Sequence, residues 1–186
     1  MISLLVEGFL KKENGQLLEA HSTVTAVTID DFTLLVDTSS KEYRSRLLDG
    51  LKRAGIKAED VDALILTHSH NDHTANTDLF PNAKVMMHPL EESSIPCCHV
   101  HDNEEIFPGI RIFHTPGHTA GSISVLVEDE RCVIAGDAIP TEDNILRNLP
   151  PGINIDRDLA MASMHRILSM ADSIIPGHGR KIDLRV

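Results

Sequence analysis

The stretch "LILTHSHNDHTAN", residues 64–76, decides how the rest of the chain is read. An apolar run of strand character stops at Thr67, and His68, His70, Asp72 and His73 follow within six positions. Packing a core calls for nothing of the kind. Alternate residues of an extended chain project to one side, so His68 and His70 can share one metal ion. Asp72 and His73 lie just past the strand, where the chain must turn, and can face a second centre close by.

A catalytic metal usually takes three protein ligands and leaves a position for water, so two centres need more donors than these four. Three further candidates stand at strand ends beside glycine: His118 in "TPGHTAGS", Asp137 in "IAGDA" and His178 in "PGHG". Glycine permits the tight, left-handed turns that aim a side chain into a crowded centre. The expected tally is His68, His70 and His118 on one metal, and Asp72, His73 and His178 on the other. Asp137 bridges them. Two cations roughly 3.5–4 Å apart lower the pKa of a shared water toward ~7 and neutralise the group attacked. Asp72, beside that water, is the candidate catalytic group that orients it and accepts or returns a proton. Nitrogen and oxygen donors without thiolate suit two divalent ions, zinc first, with iron or manganese as alternatives.

These residues resemble the metallo-β-lactamase superfamily. "THSHNDH" is similar to its T-H-x-H-x-D-H motif, and the other marks follow in order: Asp37 at the end of a strand, "PGHTAGS", "AGD" and "PGHG". The resemblance spans nearly the whole chain and implies an α+β fold, a four-layer αββα sandwich with the metals at one edge between the sheets. It also implies that Asp37 supports the site from behind; a plain turn residue is the other reading of Asp37. Within the superfamily, "THSHNDHTANTDLFPNAKV" and "ADSIIPGHG" look most like small single-domain members such as metallo-β-lactamase domain-containing protein 1. Glyoxalase II-like proteins are similar less closely; they carry a C-terminal helical substrate domain, whereas this chain stops at Val186.

Outward from the motif, residues 2–10, 22–29 and 32–38 read as strands of a β-meander with a tight turn at Asp30 and Asp31. Residues 40–56 read as a helix with Tyr43, Leu47, Leu48, Leu51 and Ala54 on one face, Ser39 or Ser40 as cap and Gly55 as stop. "VDALILT" then completes a strand–helix–strand crossover. "NDHTANTDLF" reads as a short helix, "AKVMMH" as a strand, and residues 89–108 as a loop. Strands follow at "IRIFHT", "SISVLVED" and "RCVIAGD". The last helix, "DRDLAMASMHRILSMA", has Leu159, Ala162, Met164, His165, Leu168 and Ala171 near one face. Two sheets packed face to face with helices outside accommodate this order.

The 186 residues, 41% hydrophobic and 24% charged, fit one domain spanning 1–186. No apolar run is long enough for a membrane helix. Three cysteines, Cys97, Cys98 and Cys132, make no disulfide framework, so a reducing, cytoplasmic location is expected. A net charge of −11 disfavours a nucleic-acid partner and leaves a small-molecule substrate. Oligomeric state is not legible, with a dimer left open.

The expected function is a metal-dependent hydrolase acting on a small ester-like substrate: a thioester, lactone or phosphodiester. The alternatives are a mononuclear iron oxygenase similar to persulfide dioxygenases and a metal-binding module without activity. His21, His88, His99, His101, His114 and His165 read as ordinary packed or surface residues. "CCHVHD", Cys97 to Asp102, is the one further stretch where thiols and imidazoles together suit a metal or a substrate contact. Arg147 and Arg157 read as solvated charge that an anionic substrate would meet. Substrate choice is assigned to loops 10–20, 89–108 and 139–155.

Overall fold

The computed structural model describes residues 1–13 and 16–185. In chain order come β1 (Ile2–Val6), β2 (Phe9–Glu13), β3 (Gln16–His21), β4 (Val24–Ile29), β5 (Phe32–Val36), α1 (Arg44–Ala54), β6 (Ala63–Ile65), α2 (Asn71–Thr74) and β7 (Lys84–Met87). Then follow β8 (Cys98–His99), β9 (Glu105–Phe107), β10 (Ile110–His114), β11 (Ile123–Val127), β12 (Cys132–Gly136), α3 (Glu142–Leu146), α4 (Arg157–Met170), β13 (Ser173–Pro176) and β14 (Ile182–Asp183).

One six-stranded sheet runs β1-β4-β5-β6-β7-β8 and the other β14-β13-β12-β11-β10-β9. Leu34 and Val36 of β5 and Ile65 of β6 meet Ile112, Val125 and Ile134 of the facing sheet in the central core. The neighbours Leu35 and Leu64 turn outward instead and are covered by Leu47 and Leu51 of α1. On the far side Val133, Ala135 and Ile174 are covered by Met164 and Ile167 of α4. Both faces of the central strands are therefore buried, which is why they read as continuous apolar runs without alternation. The result is the expected α/β/β/α order of layers.

Strand direction places the site. β5, β6 and β7 are parallel, as are β12 and β13, and β10 is two antiparallel steps from β12. Their C-terminal ends converge at one edge, where the Ile123 amide donates to the Thr67 carbonyl across the two sheets (2.9 Å). Ligands placed at strand ends thus meet without further machinery.

Four local expectations need correction. The three expected strands do pair as a meander, β1 with β4 and β4 with β5, but the first ends at Val6 rather than residue 10, and β2 and β3 follow it in the chain as a separate hairpin, largely over residues expected to be a loop. The segment 89–108 holds two short edge strands, β8 and β9. "NDHTANTDLF" splits into α2 and a single turn at Thr77–Leu79. The buried face of α4 is Ala160, Ser163, Met164 and Ile167, of which Met164 and Ile167 pack on Val133, Ala135 and Ile174, while Leu159, Ala162 and His165 are exposed. On α1, Leu48 is likewise exposed, and Gly55 ends the helix in the left-handed region (φ 72°), the conformation glycine adopts most readily.

Candidate metal centre

Each expected ligand leaves a strand end. β6 runs into Thr67 and His68, the turn after it carries His70, and α2 presents Asp72 and His73. His118 follows β10, Asp137 follows β12 and His178 follows β13. The chain must turn sharply at these points, and two glycines show what that requires. Gly136 takes φ 51° and lies so close to Thr67 that a Cβ would sit 2.7 Å from the threonine side chain. At Gly177 a Cβ would fall 2.0 Å from Asp137 Oδ1, so the carboxylate occupies the space a side chain would take.

The structure brings all seven residues together. Ligating atoms of His68, His70 and His118 form one trio within 4.8 Å of one another, and those of Asp72, His73 and His178 another. Asp137 lies between. Its Oδ1 faces His73 Nε2 (3.4 Å) and His178 Nε2 (3.2 Å), while its Oδ2 faces His118 Nε2 (3.5 Å). His68 also groups with His73 and Asp137, so the two trios share a boundary.

Second partners turn the imidazoles toward this point. His118 Nδ1 donates to the Ile153 carbonyl (2.7 Å) and His178 Nδ1 to the His21 carbonyl (2.9 Å), which leaves both Nε2 atoms facing inward. Asp37, fully enclosed, accepts from the Thr67 amide (2.8 Å), the Thr67 hydroxyl (2.9 Å) and His73 Nδ1 (2.8 Å). Its backbone has φ 60°, so it is both a turn residue and the partner that orients His73.

Whether these residues fit a cation is answered by what they leave unmade. His68 Nε2, His73 Nε2 and Asp137 Oδ1 are buried without a hydrogen-bond partner. Buried polar atoms are rarely left so, and three converging on one point fit the demand of positive charge between them. Titration preferences agree. Burial, helped by His73, pushes His68 well below its ordinary value, and burial with His118 lowers His70. Burial acts the same way on His73, but the carboxylates of Asp37 and Asp137 override it and hold that imidazole well above its usual range. His178 is raised against burial by Asp137. Burial would raise Asp137, yet His178 and His73 keep it well below the carboxylate range. The lowered values of His68 and His70 favour the neutral imidazole that binds metal, whereas protons on His73 and His178 compete with it.

A cleft of about 840 Å³ opens over the centre. His118, Asp137 and His178 form its floor, Phe9 and Leu10 one wall, and Leu149 and Ile153 the other. Of the three segments assigned to substrate choice, the first and third reach this cleft, but 89–108 lines none of it. Cys97, Cys98, His99 and His101 are not gathered: β8 holds Cys98 and His99 exposed at a sheet edge, and no metal-ligand group among the described residues includes them. Arg147 borders the cleft beside Asp143 (3.4 Å), whereas Arg157 does not border it. The apolar hairpin wall and the carbonyls of Ile153 and His21 escaped the sequence reading, because a backbone acceptor and the return of a hairpin onto a cleft leave no residue signature.

The model of the metallo-beta-lactamase superfamily matches residues 19–93 and 99–178. The chain belongs to that superfamily. A protein of Methanocaldococcus jannaschii named a probable metallo-hydrolase is 39% identical over 183 residues, 96% of this chain and 86% of that one. Metallo-beta-lactamase domain-containing protein 1 of Xenopus laevis is 33% identical over 189 residues, covering 96% of this chain and 79% of the relative. An N-acyl homoserine lactone hydrolase, solved with N-hexanoyl-L-homoserine at its catalytic metal centre, superposes with a TM-score of 0.76 at 20% identity. That match covers 95% of this chain and 91% of the other, and shows the metallo-beta-lactamase fold from sheet to sheet. Among the described residues no helix is long and apolar enough to cross a membrane.

Proposed function

We propose that this chain, a single domain, is a two-metal hydrolase acting on a small ester-like molecule: a thioester, lactone or phosphodiester. The observation that carries the reading is Asp137, whose two oxygens face different histidine groups. His68, His70 and His118 would hold one cation, Asp72, His73 and His178 the other, and Asp137 both. Such a pair, when bound, supplies hydroxide at neutral pH and neutralises charge on the attacked group. Zinc, iron and manganese all suit the donor set; zinc is the proposed occupant.

The protein's own part is positional. Asp37 holds His73 by its Nδ1, and the Ile153 and His21 carbonyls hold His118 and His178, so the donor atoms stay where folding puts them. Asp72 keeps a partly exposed carboxylate, 3.7 Å from His178 Nε2, and would accept and return the proton at Oδ2. The cleft has the size of a small-molecule site, and its Phe9, Leu10, Leu149 and Ile153 exclude water beside an apolar substituent. A single-iron oxygenase would use one trio and leave the other buried and unsatisfied. The acidic balance of the chain favours a small substrate over nucleic acid.

The test is turnover of a mixed pool of thioesters, lactones and phosphodiesters by the zinc-loaded protein, followed by mass spectrometry against His118→Ala. Hydrolysis of one class by the wild type alone supports the reading and names the class. Equal hydrolysis by both proteins, or oxygen uptake with iron in place of hydrolysis, overturns it.

A further inference from the structure

The His68, His70 and His118 trio is assembled across the sandwich: two donors follow β6 of one sheet, and the third follows β10 of the other. A side chain bridging the two loops lies outside the cleft. Glu91, in the segment after β7, accepts with Oε2 from the Ser69 amide (2.8 Å), the residue between His68 and His70. Its Oε1 accepts from the Gly121 amide (3.0 Å) and from the Thr119 hydroxyl, the residue next to His118. Each oxygen therefore serves one loop. The Thr119 hydroxyl is also 2.6 Å from Ser122 Oγ, which in turn accepts from the Thr119 amide (3.2 Å), so the His118 side of the bridge is itself braced.

Two features set this carboxylate apart from an ordinary surface acid. The bridge is local to one trio: among the described residues the Glu91 carboxylate accepts hydrogen bonds from Ser69, Thr119 and Gly121, and none from α2 or from the loops carrying Asp137 and His178. Gly121 also makes room for it: a Cβ there would lie 2.7 Å from the Glu91 amide nitrogen, 2.8 Å from its Cγ and 2.9 Å from its Oε1. Glycine at that position permits the carboxylate to reach both loops at once. The turn that presents Glu91 is fixed as well, by its amide donating to the His88 carbonyl (3.0 Å) and the Leu90 amide donating to His88 Nδ1 (3.3 Å).

We propose that Glu91 is a positioning residue that ties the His70 loop to the His118 loop, and that it thereby sets the metal affinity of the His68, His70 and His118 trio alone. The inference rests on the two-cation reading above. A ligand-supporting carboxylate of this kind is worth about 10–100-fold in metal affinity. Glutamine is the sharp substitution, since its NH2 would face either the Ser69 or the Gly121 amide, donor against donor. Aspartate is one methylene short of spanning both loops.

The test is a zinc titration of the full metal-free chain against a competing chelator, for wild type, Glu91→Gln, Thr119→Val and His118→Ala. His118→Ala identifies which binding step belongs to the cross-sheet trio. The expected result is that Glu91→Gln weakens that step about 10–100-fold and leaves the other within about threefold, while the metal-free chain melts somewhat lower but still in one cooperative transition. Thr119→Val, which removes one of the three donors, weakens the same step less. A purely structural role would weaken both steps alike, and that outcome overturns the proposal, as does an unchanged cross-sheet step in Glu91→Gln. A wild type with only one zinc step would overturn the two-cation reading and this inference with it, whereas two normal steps in both proteins would overturn this inference only.

Discussion

Replacing Asp37 by asparagine keeps shape and volume and removes one negative charge from the base of the centre. The Asn carbonyl still accepts from the Thr67 amide, but its NH2 now stands where Oδ2 accepted from His73 Nδ1 and the Thr67 hydroxyl. The hydroxyl can reverse. The imidazole can answer only by accepting at Nδ1, which means giving up the proton there and keeping one on Nε2, the atom aimed at Asp137. The loss is one buried charge-assisted hydrogen bond, about 1.5–3 kcal/mol. With a urea slope of about 2 kcal/mol/M, the unfolding midpoint of the metal-free protein falls by about 1 M. Metal affinity at the Asp72, His73 and His178 group falls about 10–100-fold, as expected when the partner of a ligating histidine is lost. Urea denaturation and chelator competition read the two effects, and imidazole nitrogen chemical shifts report the tautomer. An Asp37→Asn protein with an unchanged midpoint, unchanged affinity and His73 still protonated at Nδ1 would refute the account of this hydrogen bond.

Other substitutions probe other links. Gly177→Ala places a methyl where Asp137 Oδ1 now lies, so it should abolish tight binding of at least one metal, checked by metal content after dialysis. His118→Ala should lose one metal and nearly all turnover, whereas His165→Ala, exposed on α4 and bonded only to Asn148, should leave both intact. Leu34→Ala, in the middle of the core between the sheets, should cost about 2–5 kcal/mol in urea unfolding with the site's composition unchanged. Asp102 supplies a pH test. Burial pushes its carboxyl up, but Arg166 and the His114 amide override that and hold it below the ordinary range. A depressed folded pKa contributes stability above the unfolded value, lost as pH falls through the folded one. Asp102→Asn should therefore be less stable than wild type at pH 7, by at most about 1 kcal/mol for so exposed a pair, and the difference should vanish once pH falls below the folded value, measured by thermal melts across pH.

That these seven side chains would meet was legible because histidines and aspartates clustered at strand ends have little use in packing a core. His68 and Asp137 stand out against apolar runs, and parallel strands carry such residues to one edge whatever the loops between them do. The layer order was legible for a related reason: Leu34, Leu35 and Val36 are apolar in succession, which only a strand covered on both faces explains. Detail was lost where tertiary context decides. Strands β2 and β3 carry mixed polar and apolar residues, and Phe9 and Leu10 become one wall of the cleft only through their placement over the strand ends. The face of α4 was misjudged because Leu159 and His165 fit a helical period as well as Ala160 and Ile167 do, and only packing against Val133, Ala135 and Ile174 separates them. Glu91 carries no pattern at all. A glutamate in a proline-punctuated loop gains its meaning from two backbone amides more than 20 residues away.

The central claim is that two cations share Asp137, and metal stoichiometry tests it most directly. The full chain, stripped and then equilibrated with excess zinc, would be dialysed and its metal counted beside His118→Ala and His178→Ala. The account predicts two ions per chain for the wild type and one for each variant, with the two variants losing different binding steps. One ion per chain in the wild type, retained by both variants, would contradict it.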